Sequence, residues 1–139
     1  MKPFKLASLL CGMLLSSAVM AQTSLFDELG GKEGIEKIVQ ALTPILLADA
    51  RIKHQFKDTN MELLERQLSS QFCQLSGGPC RYGGDDMKLV HKGMAITQAQ
   101  FNALAEDLQQ AMTAQGVASS AQNKLIAKLA PMHRDIITK

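Results

Sequence analysis

The chain has 139 residues, 46 % of them hydrophobic, with 15 basic and 13 acidic side chains for a formal charge of +2. That near-balance excludes a nucleic-acid binder, which needs a basic surface to neutralise phosphates. It falls to zero once Lys2 and Lys5 are set aside, leaving 13 basic against 13 acidic groups.

Those two lysines precede the apolar run from Leu6 to Leu15, and Ser16, Ser17 and Ala18 follow it. This layout predicts a signal peptide over residues 1–21, cut after Ala21 in the stretch Val19-Met20-Ala21. The run is shorter than the roughly 20 apolar residues of a membrane span. Cys11 follows Leu10, not a small residue, so a lipid-attachment site is not expected. Residues 22–139 are then one domain by length, periplasmic or secreted, with no stable insertion in a membrane.

Helical spacing dominates from residue 23 onward, and no strand-like alternation is sustained. The fold class expected is all-α. Ser24 caps a short turn, Leu25 to Leu29, which Gly30-Gly31 ends. A longer helix carries Ile35, Ile38, Val39, Leu42 and Leu46 at steps of three and four, and Pro44 is expected to kink it or end it early. Thr59 and Glu62 have capping-box spacing before a helix with Met61, Leu64, Leu68, Phe72 and Leu75. A loop over residues 76–85 leads to one or two turns from Asp86 to Lys92, broken by Gly93. Thr97 opens a helix presenting Phe101, Leu104, Leu108 and Met112, which ends at Gly116. The last helix runs from about Ser120, with Leu125, Leu129, Met132 and Ile136 inward. Large apolar residues on four helices, with no tryptophan and one tyrosine, fit either a core completed by a bulky apolar ligand or an ordinary one filled by methionine and leucine.

With Cys11 in the leader, Cys73 and Cys80 remain as a pair. An oxidising compartment and the turn at Gly77-Gly78-Pro79 favour a bridge, which the chain-entropy model values at roughly 2–3 kcal/mol. Two free thiols remain the alternative, because a helical Cys73 can point the wrong way. His91 lies four residues after Met87 and beside Val90, so it shares a helix face with Met87. A haem iron wants one imidazole nitrogen, apolar walls and an acceptor for the other ring nitrogen. A lone histidine in apolar surroundings is, by spacing alone, more often structural. His54 and His133 are not at zinc-motif spacing from His91 or a cysteine; a surface position is expected for His54, with a sixth-ligand role as its alternative. No Cys-x-x-Cys-His is present for thioether attachment of haem.

From Ser24 to about Ile136 the sequence resembles the group I truncated haemoglobins. The stretches that carry the likeness are SLFDELGGKEGI (24–35), LLAD (46–49), FKDTNM (56–61), LSGGPCRYGG (75–84) and MKLVHKGMAIT (87–97). The resemblance implies a two-over-two helical sandwich around non-covalent haem b. It makes His91 the proximal iron ligand and Phe56 a residue stacked on the ring. It also implies porphyrin packing by Leu64, Leu68, Phe72, Met87, Val90, Ile96 and Phe101.

The sequence departs from that family on the distal side. Where members carry a tyrosine that donates to bound dioxygen, this chain has Thr43. Where a polar group often stands over the iron, it has Leu68, with Gln67 before it and Gln71 beyond. Thr43, Gln67 and Gln71 are thus the candidate distal donors. A charge-assisted hydrogen bond contributes about 1.5–3 kcal/mol, so weaker dioxygen stabilisation than in tyrosine-bearing relatives is expected. The function expected is reversible binding of dioxygen or nitric oxide, with nitric oxide detoxification implied by the resemblance and dependent on an unidentified electron donor. The alternatives are a periplasmic haem carrier, a thiol-linked haem redox sensor, peroxidase-like turnover and a haem-free helical interaction module.

Overall fold

A computed structural model describes residues 21–139. The expected leader therefore lies, but for Ala21, outside the described residues. Seven α-helices follow in order: α1 (Leu25–Glu28), α2 (Gly31–Ala48), α3 (Met61–Leu75), α4 (Met87–Val90), α5 (Gln98–Ala114), α6 (Ser119–Leu129) and α7 (His133–Ile136). Helix α2 is the hub, packed on α3 and on α5, with α6 against α5 and α1 against both α2 and α6. The result is two helical pairs laid across each other, as the sequence leads one to expect.

The α1–α2 corner is tight for a covalent reason. Gly30 holds φ at +85°, and a Cβ on Gly34 would run into the Leu29 carbonyl. From there α2 buries Ile35, Ile38, Val39, Leu42 and Leu46 as a single stripe. Of the two outcomes expected at Pro44, the early end does not occur: the helix continues to Ala48. Pro44 and Gln40, whose carbonyl loses its usual N–H partner, both lie on the exposed side, where water can serve the freed oxygen.

The start of α3 also differs from the sequence reading. Asn60, not Thr59, is the cap, its side chain accepting from the Leu63 N–H at 3.0 Å. Thr59 is drawn one residue earlier, its N–H donating to the Phe56 carbonyl at the end of a 3-10 turn over Lys53–Phe56. Thr97 caps α5 with Gln100 in a full capping box. The expected single last helix is interrupted by a 3-10 turn at Ala130–Met132, where Pro131 has no N–H to continue the ladder. The chain end returns to the middle, with Ile137 bridging Ile96 and the Thr138 N–H donating to the Ile96 carbonyl at 3.0 Å.

Two side-chain features brace this frame. Cys73 and Cys80 are bonded, with Cα atoms 5.7 Å apart, tying the end of α3 to the loop after it. Arg51 clasps α2 to α5 by pairing with Asp49 and Glu106, and it lies 3.9 Å from Asp107. The Asp107 side chain is only 6 % exposed, and its Oδ2 has no partner among the described residues. Burial first, then the neighbouring Asp49 carboxylate, pushes its pKa from 3.8 to about 6.

The folded chain therefore holds the Asp107 proton more tightly than the unfolded chain does. Its contribution to stability is fully present below about pH 4 and lost as the pH rises through about 6. Chemical denaturation across this window is expected to show wild-type stability falling relative to that of Asp107→Asn as the pH rises, by on the order of 2 kcal/mol. Parallel profiles for the two proteins would assign the effect elsewhere.

Candidate functional site

Between the α2/α3 layer and the α4 segment lies an apolar cavity of about 160 Å³, and His91 is on its wall. The local sequence explains how the histidine is presented. Asp86 caps α4 by accepting from the Leu89 N–H at 2.8 Å, and the four-residue helix ends at His91. One turn back, the Met87 carbonyl lies 2.8 Å from His91 Nδ1. A carbonyl only accepts, so Nδ1 carries the proton and Nε2 keeps its lone pair. Among the described residues no group of three or more His, Cys, Asp or Glu side chains could hold a metal ion. His91 by itself suits a metal that brings its equatorial ligands along, as a porphyrin iron does.

Of the residues expected around a porphyrin, Phe56, Leu64, Leu68, Met87, Val90 and Ile96 line this cavity, as does Phe101. Phe72 does not. It is 2 % exposed and belongs to the core beneath α3. Leu64, Leu68 and Gln71 follow one another at steps of four and three and face the cavity, whereas Phe72 lies a further 100° round the helix and turns into the core.

The three candidate distal donors separate. Gln71 lines the cavity, 8 % exposed, with Nε2 donating to Met87 Sδ at 3.5 Å and lying 3.8 Å from Met132 Sδ. Thr43 is not on the wall. Its hydroxyl donates to Glu65 Oε1 at 2.7 Å across the α2–α3 contact, with the Val39 carbonyl at 3.2 Å, so its one proton is engaged away from the cavity. Gln67 is likewise off the wall, its Oε1 packed beside Gly84.

Several wall residues escaped the sequence reading. Leu46, Leu104 and Ile136 belong to stripes recognised there as core, and periodicity cannot tell which core residues border an opening. Ile52, Gln55, Tyr82 and Met94 come from irregular segments that carry no periodic signal. Gln100 combines a place on the wall with its capping role. Tyr82 donates its hydroxyl to the Asp85 carbonyl at 2.8 Å. Burial, then Asp85 and Asp86, raises its pKa and keeps the phenol protonated. His54 and His133 are both exposed; His54 Nε2 lies 3.2 Å from Gln100 Nε2, and the His133 ring stands edge-on to Phe101 at 6.5 Å.

The family model described as bacterial-like globin matches residues 24–138. The chain belongs to the bacterial-like globin family. Among its relatives, a group 1 truncated haemoglobin from Mycolicibacterium paratuberculosis is 36 % identical over 115 residues, 83 % of this chain and 85 % of that one. The crystal structure of a truncated haemoglobin from Tetrahymena pyriformis, in its Fe(III) form, superposes with a TM-score of 0.81 at 30 % identity. The match covers 84 % of this chain and all of that one. A two-over-two haemoglobin from Synechococcus, described with covalently attached haem, shares the fold at a TM-score of 0.77 and 22 % identity, over 84 % of this chain and all of that one. This globin is thus a group 1 truncated haemoglobin by sequence, with the two-over-two fold.

Proposed function

We propose that this truncated haemoglobin binds haem b non-covalently, with His91 Nε2 on the iron, and takes up dioxygen or nitric oxide reversibly. The observation that carries the reading is His91, on the wall of an apolar cavity, with Nδ1 committed to the Met87 carbonyl. Bound haem would supply an iron able to take a diatomic ligand. The chain's own residues hold the ring and exclude water: Phe56, Leu64 and Leu68 face it from one layer, and Met87, Val90 and Ile96 from the α4 side. Of the three candidate distal donors, Gln71 is the one that lines the cavity, its carboxamide held only by thioether sulfurs, while Thr43 is held by Glu65.

Ligand binding is favoured over nitric oxide turnover because the hydroxyl at position 43 is engaged elsewhere. The leader-like residues before Gln22 support export to the periplasm or beyond. No helix among the described residues is long and apolar enough to cross a membrane.

Absorption spectra of the ferric, ferrous and carbon monoxide forms test the proposal. The wild type is expected to give a five-coordinate ferrous spectrum that His91→Ala loses; an unchanged spectrum in the variant contradicts the assignment. Stopped-flow dioxygen release separates the distal candidates. Gln71→Leu is expected to change the rate by about fivefold, the worth of one neutral hydrogen bond, and Thr43→Val by less than about twofold. The reverse ranking would return the distal role to Thr43.

A further inference from the structure

A second cavity, about 430 Å³, opens between α2 and α3; it shares no lining residue with the His91 cavity, and Cys80 is part of its wall. The two sulfurs of the bridge are not equivalent. Cys73 is 1 % exposed within the core, while Cys80 is half-buried and borders this cleft. Gly78 closes the inner side: a Cβ there would lie 2.7 Å from Cys73 Sγ and 2.5 Å from the Phe26 ring. An incoming thiolate therefore meets Cys80 from the cleft and has no comparable approach to Cys73.

The rest of the wall describes what such a thiol carries. Lys32 and Arg66 supply positive charge, and Glu36, Glu62 and Glu65 supply negative charge. Arg66 is paired with Glu62 at 2.6 Å and Glu65 accepts from Thr43, whereas Lys32 and Glu36 have no ion-pair partner among the described residues. Glu65 keeps its charge, so one free cation and two free anions among the described residues offer partners for both charges of a small thiol that bears a carboxylate and an ammonium group.

We propose that this cleft is a thiol–disulfide exchange site for a small zwitterionic thiol, with Cys80 as the sulfur attacked. The thiolate forms a bond to Cys80 Sγ as the Cys80–Cys73 bond breaks. Cys73 leaves with the electron pair and takes up a proton, and the product is a mixed disulfide on Cys80. No external oxidant enters the balance. Exchange releases the covalent tie between α3 and the following loop, which carries Tyr82 to the wall of the His91 cavity. The contacts then left on Tyr82 include its N–H to Gln74 Oε1 at 2.7 Å and its hydroxyl to the Asp85 carbonyl.

The test incubates the haem-loaded chain with reduced glutathione, quenches with an alkylating reagent and maps the adducts by peptide mass spectrometry. Its readout is independent of haem ligation, so it can fail while the haem reading stands. Glutathione is expected on Cys80 and alkylation on Cys73. Lys32→Glu is expected to slow exchange by about threefold or more, with the neutral 2-mercaptoethanol reacting equally with both proteins. Glutathione on Cys73, equal glutathione rates for Lys32→Glu and wild type, a bridge that resists exchange, or two free thiols before any reductant would each overturn the proposal.

Discussion

The hydrogen bond between His91 Nδ1 and the Met87 carbonyl, 2.8 Å long, is the contact on which the chemistry of this fold depends. Its net contribution to stability is of the order of 1 kcal/mol. Its consequence for direction is larger, because it settles the tautomer and leaves the other ring nitrogen with the free lone pair that the proposed iron ligation needs. Everything around it serves to hold the Met87 carbonyl in place. Asp86 fixes the first turn of α4, and Gly93 at φ +80° and Ala95 at φ +52° then swing the chain sharply away. The bridge from Ile96 to Ile137 straps the turn to the C-terminal segment. A four-residue helix has little stability of its own, so its geometry is borrowed from the cap and the strap.

The opposite layer is organised by a different rule. Helix α3 is shared between a core and a cavity, and a rotation of one residue decides which side chain meets which. Leu64, Leu68 and Gln71 take the cavity; Phe72 and Cys73 take the core. The polarity of the distal side follows from the packing of α2 on α3. Glu65 is half-buried there and accepts the Thr43 hydroxyl, so the helix contact is satisfied by the group that could have served a ligand. Among the described residues the Gln71 side-chain amide is bonded only to soft sulfur acceptors, which compete weakly for it.

Much of this was legible in the sequence because helices write their buried stripe every three or four residues. The Ile35–Leu46 stripe, the helix starts at Ser24 and Thr97 and the break at Gly116 all stand where the pattern put them. The failures have physical causes. Pro44 does not end α2 because the Gln40 carbonyl that it leaves unpaired faces water, and Asn60 displaced Thr59 because a neighbouring turn used the Thr59 N–H. Phe72 and Leu68 are one turn apart on the same apolar side, so no periodicity could assign one to the cavity and the other to the core. The engagement of Thr43 by Glu65, 22 residues away, is a tertiary fact with no local signature. Tyr82 and Met94 reach the cavity from loops, where position is set by the bridge and the turns and not by a repeat.

The central claim is that one of the three histidines in this chain offers Nε2 to iron while its Nδ1–H is held by a backbone carbonyl. Nuclear magnetic resonance of the ferrous, haem-loaded chain with its histidines labelled with nitrogen-15 tests it directly. The account predicts one strongly shifted ring N–H signal, slow to exchange with solvent and absent from His91→Ala. A shifted signal that survives in that variant, or that disappears with His54 or His133, would contradict it.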